Sequence, residues 1–126
     1  MKENITDSKK ENKVIDLVKL EVDNKELASL IGNVCSETYG VVGLTRVKTI
    51  KNQLVILRKQ NYVEGILIFK NSKGRYDIDV HLICAYGVKI SEVVNEVSKR
   101  IAYETKKKYG PRFNKINVYI EDLLDL

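Results

Sequence analysis

Apolar and polar positions along the chain fall into seven blocks, some with a period close to 2 and some close to 3.6. VIDLVKLEV alternates imperfectly and is rich in β-branched residues, which predicts a strand over Ile15–Val22. Asp23 precedes Glu26 by three residues, the spacing of a capping box. Leu27, Leu30, Ile31, Val34 and Cys35 then recur at helical spacing as one buried stripe. That helix stops near Tyr39–Gly40, where glycine supplies the left-handed conformation of a helix end. β-branched density returns over Val41–Ile50, with Gly43 inside it as a bulge or close-packing point. The stretch KNQLVILRKQN reads either as a short helix or as a loop with an apolar patch. YVEGILIFK and RYDIDVHLICA read as two strands joined by Asn71-Ser72-Lys73-Gly74, an antiparallel hairpin. In the second strand Ile78, Val80, Leu82 and Cys84 point one way, and Asp77, Asp79 and His81 point the other, to a wet face. Ile90, Val93, Val94, Val97 and Ile101 form the stripe of the longest helix, 90–108, with Ser91 as its cap. Gly110–Pro111 stops it, and Ile116, Val118 and Ile120 alternate as a last strand before the acidic tail EDLLDL.

The order β-α-β-β-β-α-β predicts an α+β fold, a two-layer sandwich whose mostly antiparallel sheet carries both helices on one face. With 126 residues, 44% of them apolar and 31% charged, the chain has room for one packed domain. Residues 14–126 form that domain, and residues 1–13, four lysines and three acids around the single aliphatic Ile5, read as a solvated, mobile tail. The apolar runs fall far short of the ~20 residues that span a bilayer, and the N-terminus lacks the apolar core of a signal peptide. A cytoplasmic protein with no direct transmembrane insertion follows. Cys35 and Cys84 have neither CxxC nor zinc-type spacing, so they read as small buried side chains.

Little of this points to catalysis. Asp77, Asp79 and His81 alternate on one strand face, and a carboxylate–imidazole mixture suits zinc or iron. Three ligands strung along one strand, however, span too far to close a site, and a polar outer face accounts for them equally well. Neither GxxxxGK[ST] nor GxGxxG occurs, and His81 is the only imidazole. The expectation is a non-enzyme without catalytic residues, metal or cofactor.

Charge changes the picture more. The net charge of +5 is concentrated in residues 99–115, where seven basic residues face one acid, while residues 116–126 carry −3. Lys99, Arg100, Lys106, Lys107, Lys108, Arg112 and Lys115, with Tyr103, Tyr109 and Phe113 interleaved, have the composition of a surface for nucleic acid or another anion. Ordinary helix chemistry explains the same residues: Glu96–Arg100 and Glu104–Lys108 are i,i+4 pairs, and C-terminal lysines complement the helix dipole.

Several segments together carry a family likeness. Glu37-Thr38-Tyr39-Gly40-Val41-Val42-Gly43-Leu44 follows a helix, and Arg58-Lys59-Gln60-Asn61 precedes the central strands. Tyr86-Gly87-Val88-Lys89-Ile90-Ser91-Glu92-Val93 ends a strand and opens a helix, and Ile116-Asn117-Val118-Tyr119-Ile120 closes the domain. In order and spacing these resemble the alkaline shock, or general stress (Gls-type), proteins of Gram-positive bacteria over roughly residues 14–122. The resemblance implies a non-enzymatic envelope-stress protein that acts through protein–protein interaction. It also implies self-association, a membrane-anchored protein partner that holds the chain peripherally at the membrane, or a link to control of fatty-acid synthesis. It carries over no catalytic residue. Leu54, Val55, Ile56 and Leu57, with the sheet edges, are the expected partner contacts, because exposed apolar clusters and unpaired edges invite partners. The alternative is a small RNA- or ribosome-associated domain using the basic 99–115 cluster.

Overall fold

A computed structural model describes residues 24–46 and 55–125. Helix α1 (Asn24–Ser36) leads to strand β1 (Val41–Leu44), a 3-10 helix (Lys59–Gly65), β2 (Ile66–Lys70), β3 (Tyr76–Ala85), α2 (Ile90–Tyr109) and β4 (Phe113–Leu124). The expected strand 15–22, the Asp23 cap, the 1–13 tail and Leu54 lie outside the described residues.

β3 organises the sheet. One of its edges is shared end to end by two antiparallel partners, β2 against Tyr76–Val80 and β1 against Leu82–Cys84. Its other edge pairs along its whole length with β4, in parallel. Two of the three ladders are therefore antiparallel and the longest is parallel, which requires the connection between β3 and β4 to cross back over the sheet. α2 makes that return. Its 20 residues, about 30 Å at 1.5 Å per residue, match the length of β3.

The two-layer arrangement is the one the hydrophobic pattern predicts. Leu27, Ile31, Val34 and Cys35 of α1 and Val93, Val97 and Ile101 of α2 join Ile78, Val80, Leu82 and Cys84 of β3 in one core. Both helices thus cover the same sheet face. Gly40, at φ +93°, turns the chain from α1 into β1 where a Cβ would lie 2.9 Å from Val93 Cγ2, so only glycine fits.

Four local features depart from the pattern. The strand expected from Tyr62 begins at Ile66, because residues 62–65 belong to the 3-10 helix. The Tyr62 ring lies flat on Gly32 of α1, and its hydroxyl is 2.9 Å from Ser36 Oγ, which holds that turn against the helix rather than in the sheet. Ser91 is inside α2; Lys89 occupies the N-cap, with no side-chain cap bond. β4 starts earlier than expected, at Phe113, and takes in Glu121 and Asp122 of the acidic tail. Finally, the face of β3 expected to be wet is not. Asp77 and Ile83 are buried there, and Asp79 and His81 half-buried. Ile56 crosses that face, at 2.8 Å from where a Cβ on Gly43, the ladder partner of Ile83, would stand.

The Gly32–Tyr62 contact predicts the sign of a substitution. Alanine in a helix ordinarily gains about 1 kcal/mol over glycine. Here its Cβ would lie 2.0 Å from the ring, so Gly32→Ala loses about 1–3 kcal/mol of unfolding free energy in denaturant titration. A stabilised variant would contradict this packing.

Candidate interaction surfaces

The chemistry-bearing residues of β3 do not converge. Asp77 Oδ1 accepts from the Asn71 side chain at 3.2 Å and from the Lys115 backbone N–H at 3.1 Å. Asp79 accepts from the Asn117 amide at 2.8 Å. His81 Nδ1 lies 2.7 Å from Glu121 Oε2, and its ring stacks on Tyr119 with centroids 5.1 Å apart. Each group is spent on a different cross-strand partner. Among the described residues no cluster of three or more His, Cys, Asp and Glu could hold a metal.

The cysteines are equally enclosed. Both are free and buried. Burial pushes the Cys35 thiol up from 9.0 to about 12, more than the nearby Arg100 guanidinium lowers it, and burial also raises Cys84. A nucleophilic thiolate needs the opposite shift.

The seven basic residues expected to act together separate. Arg100 turns inward: its Nη1 donates to Thr38 Oγ1 at 3.1 Å and its Nη2 stands 3.5 Å from Glu37 Oε1. Thr38 in turn donates to the Val34 carbonyl at 2.8 Å, closing the end of α1 against α2. Lys108 is bound by Glu26, whose carboxylate holds the ammonium above its ordinary value. Lys99, Lys106, Lys107, Arg112 and Lys115 are exposed. Of the aromatics, Tyr109 and Phe113 pack edge-on at 6.0 Å and join the core, which leaves Tyr103 as the exposed ring, under Lys107. The apolar patch also divides. Val55 and Ile56 are exposed, whereas Leu57 enters the core and its N–H donates to the Leu44 carbonyl at 2.8 Å.

A site the residue pattern did not announce lies at the other end of α2. The turn Tyr39–Gly40 and the turn Tyr86–Gly87 come side by side, joined by a 2.9 Å hydrogen bond from the Ala85 N–H to the Gly40 carbonyl. Thr38 and Tyr39 from the first turn and Val88, Glu92, Val93 and Glu96 after the second line an open groove of about 430 Å³. Tyr39 is 89% exposed and Tyr86 70%, unusual for such large rings. Tyr-Gly occurs at positions 39–40, 86–87 and 109–110, and only tertiary proximity brings the first two together and leaves the third at the far end of α2.

These two turns belong to the segments that carry the alkaline-shock likeness. A model of the Asp23 family, described by a cell envelope-related function, matches residues 11–124 (Asp23 being here the name of the family, not the residue). The chain belongs to the Asp23 family. Two relatives are similar to it over about four fifths of its length. The uncharacterized protein Spy1614 of Streptococcus pyogenes is 30% identical over 105 residues, which cover 82% of this chain and 86% of the relative. The uncharacterized protein YloU of Bacillus subtilis is 30% identical over 103 residues, 81% and 85% of the two chains. No solved structure matches. As a member of the Asp23 family the protein has a cell envelope-related function. Among its described residues no helix is long and apolar enough to cross a membrane.

The thiol environment makes two measurable statements. Cys35 and Cys84 resist a disulfide reagent at pH 8 in the native protein, and both react once it is denatured. The unfolded Cys35 thiol ionises near 9.0 and the folded one near 12, so its contribution to stability is complete below pH 9 and is lost as pH rises toward 12. In that window it contributes a slope of up to about 1.4 kcal/mol per pH unit, which Cys35→Ala removes. Rapid labelling of the native protein would contradict this burial.

Proposed function

We propose that this is a non-enzymatic, envelope-related interaction protein that works by binding protein partners at the surface made by the Tyr39–Gly40 and Tyr86–Gly87 turns and the groove beside them. The observation that supports this reading is the convergence there of the two segments carrying the family likeness, 37–44 and 86–93, with Tyr39 lining the groove and Tyr86 exposed on the adjoining turn. Tyrosine suits such contacts. It offers a large amphipathic face for the loss of only two side-chain torsions, and tyrosines are over-represented among residues that dominate binding energy. The groove is lined by two acids and two lysines around Val88 and Val93, a polar rim on an apolar floor. A membrane-anchored protein or a second copy of the chain is the partner this reading implies, with the chain held peripherally at the membrane.

The test is complementation in cells lacking the protein, scored as survival of envelope stress. Both tyrosine rings stand in solvent, so a Tyr39→Ala/Tyr86→Ala chain keeps the parental unfolding midpoint and fails to restore survival. His81→Gln, at the one imidazole, restores it. Rescue by the double-alanine chain would refute the groove as the working surface. Loss of rescue by a folded His81→Gln chain would instead indicate catalysis.

A further inference from the structure

The cations exposed at the C-terminal end of α2 are joined there by others from a distant part of the chain. The β2–β3 turn reaches the same end. The Tyr76 N–H donates to the Arg112 carbonyl at 2.9 Å, and Tyr76 stands opposite Phe113 in the ladder. Asn71 Oδ1 accepts from the backbone N–H groups of Lys73 and Arg75, at 2.9 and 3.0 Å, while its amide binds Asp77. Asp77 also receives the Lys115 N–H, so this one buried carboxylate ties the turn to the start of β4. Exposed Lys70, Lys73 and Arg75 from the turn thereby join exposed Lys106 and Lys107 of α2 and Lys115 of β4. Of the acids nearby, Asp77 is buried and bonded and Glu26 is held by Lys108, which leaves the half-buried Glu104 of α2 against six exposed cations. Between turn and helix a cleft of about 170 Å³ opens, bordered by Arg75, Lys106 and Asn114.

The opposite end carries more acids than bases. Glu92 and Glu96 line the groove together with Lys89 and Lys99, Glu37 pairs with Arg100 beside it, and the Tyr86 N–H donates to the Leu124 carbonyl at 2.7 Å, which brings Asp122 and Asp125 to that end. Five acids there stand against Lys89, Lys99 and Arg100, so the two ends of the ~30 Å helix differ in sign, strongly positive at one and weakly negative at the other.

We propose that the basic end is a docking surface for an anionic phospholipid bilayer, with headgroup phosphates received by Arg75, Lys106 and their neighbours. Three observations select this partner. The cations come from three chain segments onto one end, the arrangement that meets a planar surface at several points at once. Tyr109 and Phe113 are turned into the core, so the stacking platforms that single-stranded nucleic acid requires are absent from this end but for Tyr103. The acidic pole is repelled by the same bilayer, which orients the molecule with its aromatic groove away from the lipid. Each cation near an anionic leaflet strengthens binding about fivefold, and the effect falls off within a Debye length.

The experiment is co-sedimentation of the full chain with vesicles of phosphatidylcholine alone, or with about one third phosphatidylglycerol, at low and high salt. Binding requires phosphatidylglycerol and is lost at high salt. Lys73→Glu/Arg75→Glu weakens it about 30-fold or more, as does Lys106→Glu/Lys107→Glu. Lys89→Glu, at the other end, stays within about twofold of the parent. The neutral pair Lys73→Gln/Arg75→Gln, with an unchanged unfolding midpoint, gives an intermediate loss and guards against misfolding of the reversal variant. No binding to anionic vesicles at low salt, equal binding to neutral ones, or full binding by the turn variants would overturn the proposal. So would tighter binding to mixed-sequence RNA that the same variants abolish. Displacement by sodium phosphate beyond that by sodium chloride of equal ionic strength would mark a site for free phosphate, and equally overturn it.

Discussion

The parallel pairing of β3 with β4 is the constraint from which the rest of the architecture follows. A parallel neighbour cannot be reached by a tight turn, so the chain must cross the whole sheet before β4 begins. α2 is that crossing, and its length is set by the strand it returns along. Its first turn is delivered beside Tyr86–Gly87 and its last beside the β2–β3 turn. Antiparallel pairing would have brought both ends of the connection to one side of the sheet, and the two surfaces would have merged.

Around that crossing, single contacts fix the details. Arg100, reaching back to Thr38 and Glu37, fastens the end of α1 to the middle of α2 and so shapes the floor of the groove. Asp77 does the corresponding work at the other pole. A buried carboxylate satisfied by an Asn amide and a backbone N–H is expensive to leave with one partner missing, so the turn and β4 are held in register by the same atom. Arg100 and Asp77, which tie the fold together, are thus drawn away from the surface, while Lys73, Arg75, Lys106 and Lys115 stand exposed.

How much of this was written in the sequence depends on whether the information was local. The apolar stripes of α1 and α2 and the hairpin turn at 71–74 were legible, because period and turn chemistry are local. The start of β2 was not: Tyr62 to Gly65 spell a strand, and only the contact of Tyr62 with Gly32, from a helix some 30 positions earlier in the chain, makes them a 3-10 turn. Alternation in 116–120 reports a strand without reporting its direction, since parallel and antiparallel strands share the same period. The basic cluster was half legible. Its seven members could be counted, but the capture of Arg100 and Lys108 by acids of α1 and the adjoining turn, and the arrival of Lys70, Lys73 and Arg75, depend on tertiary proximity. The family likeness succeeded where residue chemistry was silent, because it rests on the order of turns and helix starts that the fold itself requires.

That α2 holds an aromatic pole and a basic pole apart, and that the two face different surroundings, is tested most directly by the depth of each pole on a bilayer. Spin labels attached through Lys73→Cys and, separately, Tyr86→Cys suit this, since the native thiols are enclosed. On vesicles containing phosphatidylglycerol, the label at 73 becomes shielded from a water-soluble paramagnetic reagent while the label at 86 stays as accessible as in solution. Equal shielding of both labels, or shielding of the label at 86 alone, would contradict the separation of the two ends.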